Sequence, residues 1–153
     1  MFQIKRFLVP LISCIIAASC LDEPECVRIN NNVAGFLLKT PGTNESKSVR
    51  FLEVSILGID SLFVERKNVK SVIIPLNYFS TETSIRFVRP GDVIDTVTVG
   101  YKVQTQFISE DCGERYYLSS LEVLHHTFDS IRVISDLPGK DNKVKNFEIF
   151  FDE

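Results

Sequence analysis

Four cysteines and two histidines are the side chains of this 153-residue chain with the most chemistry to offer. The cysteines stand at positions 14, 20, 26 and 112, and the histidines are adjacent, His125-His126. On a strand, neighbouring side chains point to opposite faces, so these two imidazoles cannot readily share one metal ion. One of them could meet a distant carboxylate as ligand or base; an exposed or edge-strand position is the expected one. Cys112 lies in Ser109-Glu110-Asp111-Cys112-Gly113-Glu114. Acids on both sides disfavour the thiolate, which argues against a nucleophile. Glu110-Asp111 and Asp152-Glu153 pair carboxylates, but no Asp-x-Asp-x-Asp spacing for calcium accompanies them. The sequence has no Gly-x-Ser-x-Gly, no phosphate loop and no dinucleotide glycine pattern. The chain therefore reads as a non-enzyme, with no catalytic residue, no metal site and no cofactor.

Cys20 has a different setting. Lys5 and Arg6 precede an uncharged run, Phe7 to Ala18, that is too short to span a bilayer, which takes roughly 20 apolar residues. Small residues Ala17-Ala18-Ser19 then lead into Cys20. This arrangement resembles the lipobox of bacterial lipoproteins, in which the cysteine becomes the new N-terminus. The resemblance implies a signal peptide over residues 1–19, a diacylglycerol thioether on Cys20, and an acyl group such as palmitate on the freed amine. An ordinary secretory signal cleaved near Ala18, with Cys20 a plain thiol, is the alternative; a short buried helix of a cytosolic protein is another. One acyl chain, at about 0.8 kcal/mol per buried CH₂, anchors marginally, whereas two or three anchor durably.

The mature chain would run from Cys20 to Glu153 as one domain, with residues 20–32 as tether and 33–153 as the folded unit. Loss of Lys5 and Arg6 moves the formal net charge from −3 to −5. No basic patch stands out, so nucleic acid is not an expected partner. With Cys14 in the signal and Cys20 lipidated, Cys26 and Cys112 remain. An even pair in an oxidising compartment is expected to form a disulfide; two separate buried thiols are the alternative. The bridge would be worth about 4–5 kcal/mol in the chain-entropy model. The six residues from Cys20 to Cys26 reach about 20 Å when extended, which would hold the domain close to its membrane. Asp22, Glu23 and Glu25 resemble the acidic signal that sends Bacteroidota lipoproteins to the outer face of the outer membrane; a solvated acidic tether is the alternative.

These residues must be positioned by strands. Val97, Val99, Tyr101, Val103 and Phe107 alternate with Thr98, Lys102, Gln104 and Gln106, so one face is expected in a core and one in water. Such a strand belongs to an antiparallel sheet. Residues 35–39, 48–57, 61–65, 71–76, 84–88, 116–124, 130–134 and 146–151 complete a set of about nine. The apolar positions change parity at Phe51-Leu52, which predicts a bulge. Arg89-Pro90-Gly91-Asp92 and Leu137-Pro138-Gly139-Lys140 read as turns. The segment 118–126 is the best helix candidate, yet its composition favours a strand. The fold class is all-β: an antiparallel β-sandwich of two sheets, immunoglobulin-like in architecture, with a small β-barrel as alternative.

Asp60-Ser61-Leu62, Asp95-Thr96-Val97 and Asp129-Ser130-Ile131 share a pattern. It fits turn chemistry, with side chains bonded to nearby backbone. It also resembles the O-glycosylation site of Bacteroidota envelope proteins, which makes Ser61, Thr96 and Ser130 candidate glycosylation sites. The chain has 12 Phe, 4 Tyr and no Trp. Tyr78-Phe79 and Tyr116-Tyr117 are the local aromatic clusters with a hydroxyl. Core packing is expected of them, and a sugar platform is the other reading.

The lipobox, the acidic tether, Cys26, Ile74-Pro75-Leu76 and the segment Ser109 to Gly113 together resemble a family of short, uncharacterised Bacteroidota lipoproteins with two mature cysteines. The likeness covers nearly the whole mature chain on sparse motifs, and it implies location rather than activity. The expectation is a lipid-anchored envelope protein, at the outer membrane and facing periplasm or surface, that works by protein contact. A glycan- or small-ligand-binding accessory of an outer-membrane uptake system is the alternative.

Overall fold

Alternating apolar and polar side chains mark most of the expected segments as strands. The computed structural model describes residues 32–43, 45–110, 112–139 and 143–151. Among the described residues there are nine strands and no helix. They are β1 Val33–Lys39, β2 Val49–Ile56, β3 Leu62–Val69, β4 Ser71–Pro75, β5 Glu82–Arg89, β6 Val93–Ser109, β7 Gly113–His126, β8 Ser130–Val133 and β9 Phe147–Phe150. One sheet has the order β4-β1-β9-β8 and the other β3-β2-β5-β6-β7. All neighbours are antiparallel except β1 and β9. Neither sheet closes on itself, so the molecule is a β-sandwich and not a barrel.

Phenylalanines join the sheets. Phe36 of β1 stacks on Phe147 of β9 at 4.9 Å and meets the edge of Phe87 of β5 at 6.0 Å. Phe87 continues the contact to Phe51 of β2 at 5.5 Å and to Phe128 at 5.2 Å. Offset and edge-on pairs of this kind add to the burial of the rings themselves. Ala34 and Leu38, two residues either side of Phe36, are buried with it.

Two expectations need correction. The parity of burial in β2 does change, between Phe51 and Val54, but the register shift against β3 falls at Val54/Ser55 rather than at Phe51-Leu52. The residue of β3 facing this stretch, Arg66, has a φ of 43°, so the irregularity is shared with the edge strand. The core face of β6 also ends early. Val97, Val99 and Tyr101 are buried, whereas Phe107 is 63% exposed. The reason is a difference in strand length: β5 ends at Glu82, opposite Gly100, and beyond it Val103 and Leu118 still pack on the core while Phe107 does not.

The segment before β9 crosses β1 tightly. A Cβ on Gly35 would lie 2.1 Å from the Val144 carbonyl oxygen, so only glycine fits there. Asn146, fully buried, accepts from the Gly35 amide at 3.0 Å and donates to the carbonyls of Ser135 at 3.1 Å and Leu137 at 2.7 Å. The expected turn at Leu137–Lys140 is tied to β1 through Gly139, which exchanges two backbone bonds with Val33; Lys140 lies outside the described residues. The other expected turn holds, with Gly91 and Asp92 both at positive φ. Arg89 and Asp95 pair across it at 2.8 Å.

Asn146→Ala leaves one donor and two acceptors of the backbone without partners. Loss of about 3 kcal/mol is expected, read as a lower urea midpoint at unchanged slope; a midpoint equal to wild type would contradict the role given to this side chain.

Candidate binding surface

The residues singled out by the sequence separate in space. Cys20 and Cys26 lie outside the described residues. Cys112 occupies the turn between β6 and β7, where its amide donates to Ser109 Oγ at 3.1 Å and Gly113 supplies a φ of 67°. Cys112 is disulfide-bonded, so its sulfur is no free nucleophile. His125 is exposed, and His126 Nδ1 lies 3.0 Å from the Phe128 carbonyl oxygen. Among the described residues no three His, Cys, Asp or Glu side chains gather as a metal site would require. Ser61 is half-buried next to the β2–β3 turn, and Ser130 is exposed at the start of β8. Thr96 instead lies inside β6, its amide bonded to Thr127 Oγ1 at 2.8 Å and its carbonyl to the Thr127 amide.

What the fold does bring together is aromatic. From residue 101 onward β6 has lost its β5 neighbour, and it continues with β7 as a two-stranded arm. A hairpin of two strands is marginal in water without further packing. The β4–β5 loop supplies it. Tyr78 stacks on Tyr116 of the arm at 4.9 Å and 25°, and Phe79 meets the same ring at 5.7 Å and 62°. Tyr78 and Phe79 also touch each other, at 4.4 Å. Phe79 is nonetheless 76% exposed and Tyr78 38%. Core packing, the expectation for these rings, is overturned for Tyr78 and Phe79. They stand in a loop rather than on a strand, beyond the edge of the opposing sheet. Phe107, on the same face of the arm as Thr105 and hence as Tyr116, extends the apolar surface toward the tip.

The loop is held from below. Asn77 Oδ1 accepts from the Phe79 amide at 3.0 Å, and the Asn77 carbonyl accepts from the Tyr101 hydroxyl at 2.8 Å. That hydroxyl lies 2.7 Å from Thr83 Oγ1, which itself accepts from the Asn77 amide at 3.2 Å. Burial pushes the Tyr101 phenol above its ordinary pKa of 10.0, against the opposing pull of its bonds to Thr83 and Asn77. Beside the loop, a shallow groove of about 500 Å³ runs between Asn77, Ser80 and Glu82 on one side and Leu57, Gly58 and Ile59 on the other. The sequence points to Tyr78-Phe79 and Tyr116-Tyr117 as a possible platform, but it places Tyr101 and Phe107 alike on the core face of one strand.

A family model described as a family of unknown function (DUF6452) matches residues 51–151. The match includes the arm and every ring of the aromatic surface. No curated protein and no solved structure matches the chain.

Tyr101 makes stability depend on alkaline pH. The unfolded phenol ionises near 10.0, while the folded one keeps its proton to higher pH. Its contribution is complete below that value and is lost as pH rises through it. Between about pH 9 and about pH 11 the wild type should lose more stability than Tyr101→Phe. Parallel urea midpoints across that range would contradict the assignment.

Proposed function

The chain belongs to this family of unknown function, and we propose that it is a lipid-anchored protein of a bacterial cell envelope that acts through contact and not through catalysis. In this reading residues 1–19 are a signal peptide, Cys20 carries the lipid, and an acidic tether leads to the folded domain. Cys26 is the partner of Cys112. The setting is the outer membrane of a Bacteroidota-type cell, on its periplasmic or outer side. The observation that carries the contact reading is the Tyr78–Phe79–Tyr116 group. Contiguous rings left in water at one end of a folded domain mark an interaction surface.

A second reading has its own support. Tyr78 and Tyr116 are stacked, Phe79 is open, and Asn77, Ser80 and Glu82 offer polar groups nearby. Rings with polar neighbours suit a glycan or another small ligand, as an accessory of an outer-membrane uptake system would need. For O-glycosylation, exposed Ser130 and half-buried Ser61 are better acceptors than Thr96, whose backbone is held inside a strand.

Intact-mass measurement and membrane fractionation of wild type and Cys20→Ala test the anchor. The wild type should carry acyl mass and remain with membranes; the variant should lose both. Identical mass and identical fractionation would remove the lipoprotein reading. The same protein digested without reductant should yield a peptide pair joined through Cys26 and Cys112.

A further inference from the structure

We infer that the arm end of the sandwich seats on the bilayer that holds the anchor, with Phe79 and Phe107 in the lipid–water interface. This rests on the Cys20 anchor proposed above and adds an orientation and a lipid contact to it.

Three observations converge. The first is where the tether leaves the fold. The Asn32 carbonyl accepts from the Leu76 amide, so the chain upstream of Asn32 departs at the end that bears the Tyr78-Phe79 loop and the arm. From Cys20 to Asn32 the chain spans at most about 40 Å. The second is how exposed apolar side chains are distributed. Leu57, Ile59, Tyr78, Phe79, Phe107 and Ile108 are all exposed at this end or along the arm, whereas at the opposite end, around the β5–β6 turn, Val93 and Ile94 are the large exposed ones among the described residues. An anchored domain that turned the first end to water would leave its most apolar surface in solvent while a bilayer lay within the reach of its tether. The third is charge. Asp60, Glu82, Glu110, Glu114 and Asp136 are exposed at this end, against Lys102, Lys143 and Lys145, an excess of carboxylates. Carboxylates disfavour an anionic surface, so the occupant is a zwitterionic bilayer. Aromatic rings favour the interfacial level of a bilayer, and a shallow apolar contact adds to the hold of the acyl chains.

The chain has no Trp, so Phe79→Trp provides a single indole at an exposed site, and Val93→Trp provides the control at the far end. Each lipidated variant is reconstituted into phosphatidylcholine vesicles, floated, and compared with vesicles of brominated phosphatidylcholine. Phe79→Trp should lose emission to the brominated lipid, as a ring at the interfacial level would, and Val93→Trp should keep its emission. Failure to float would overturn the anchor and this inference together. Flotation with equal quenching at both positions, or at neither, would overturn the orientation and leave the anchor standing. Emission from Phe79→Trp that responds to added oligosaccharide without a bilayer would assign the surface to sugar. Emission that instead changes with protein concentration alone would assign it to a second copy of the chain; either outcome overturns the inference.

Discussion

Strands β6 and β7 are 17 and 14 residues long, while no strand of the opposing sheet exceeds the seven of β1. A sheet can bury its inner face only where another layer covers it. Past Val103 and Leu118, which still pack on the core, that cover ends, yet the hydrogen-bonded pair runs on. Everything unusual about the molecule follows from this overhang. The ribbon needs support at its base, which the β4–β5 loop gives by laying Tyr78 and Phe79 on Tyr116. At its tip the chain turns through Cys112 and Gly113, where the Cys112 amide donates to Ser109 Oγ. The same overhang leaves apolar side chains in water at one end, which is the physical basis for assigning contact to that end.

The rest of the domain is closely cross-linked by rings and buried polar groups. A connected set of phenylalanines crosses from one sheet to the other. Asn146 ties the segment before β9 to β1 and to the loop after β8. Glu148, buried in β9, is paired with Lys39 at 3.8 Å and with Arg132. β9 joins β1 as the parallel partner, so these polar contacts fix the middle of the smaller sheet. The Asn77–Thr83–Tyr101 bonds then carry that order to the loop that presents the rings.

Period-two patterning made most of the strands legible, because alternation is local and a half-wet strand shows it; β1 and β9, with no exposed residue, show it least. The turn at Pro90-Gly91 was legible for a similar reason, since it depends on the residues that form it. Exposure at Phe79 and Phe107 was not. It depends on where the neighbouring strand β5 ends, and no property of residues 97–107 encodes that end. Asn146 was hidden in the same way: its partners lie 111, 11 and 9 residues away, and its neighbours read as an ordinary strand.

The central claim is that one end of the sandwich, the arm and its aromatic base, is the working surface and faces the membrane. Amide hydrogen exchange on the lipidated protein, compared between vesicles and detergent-free solution of the unlipidated chain, tests it most directly. The account predicts slower exchange on vesicles confined to residues 77–80 and 102–117, with the β5–β6 turn at 90–92 unchanged. Slowing at the 90–92 turn, or none at the arm, would contradict it.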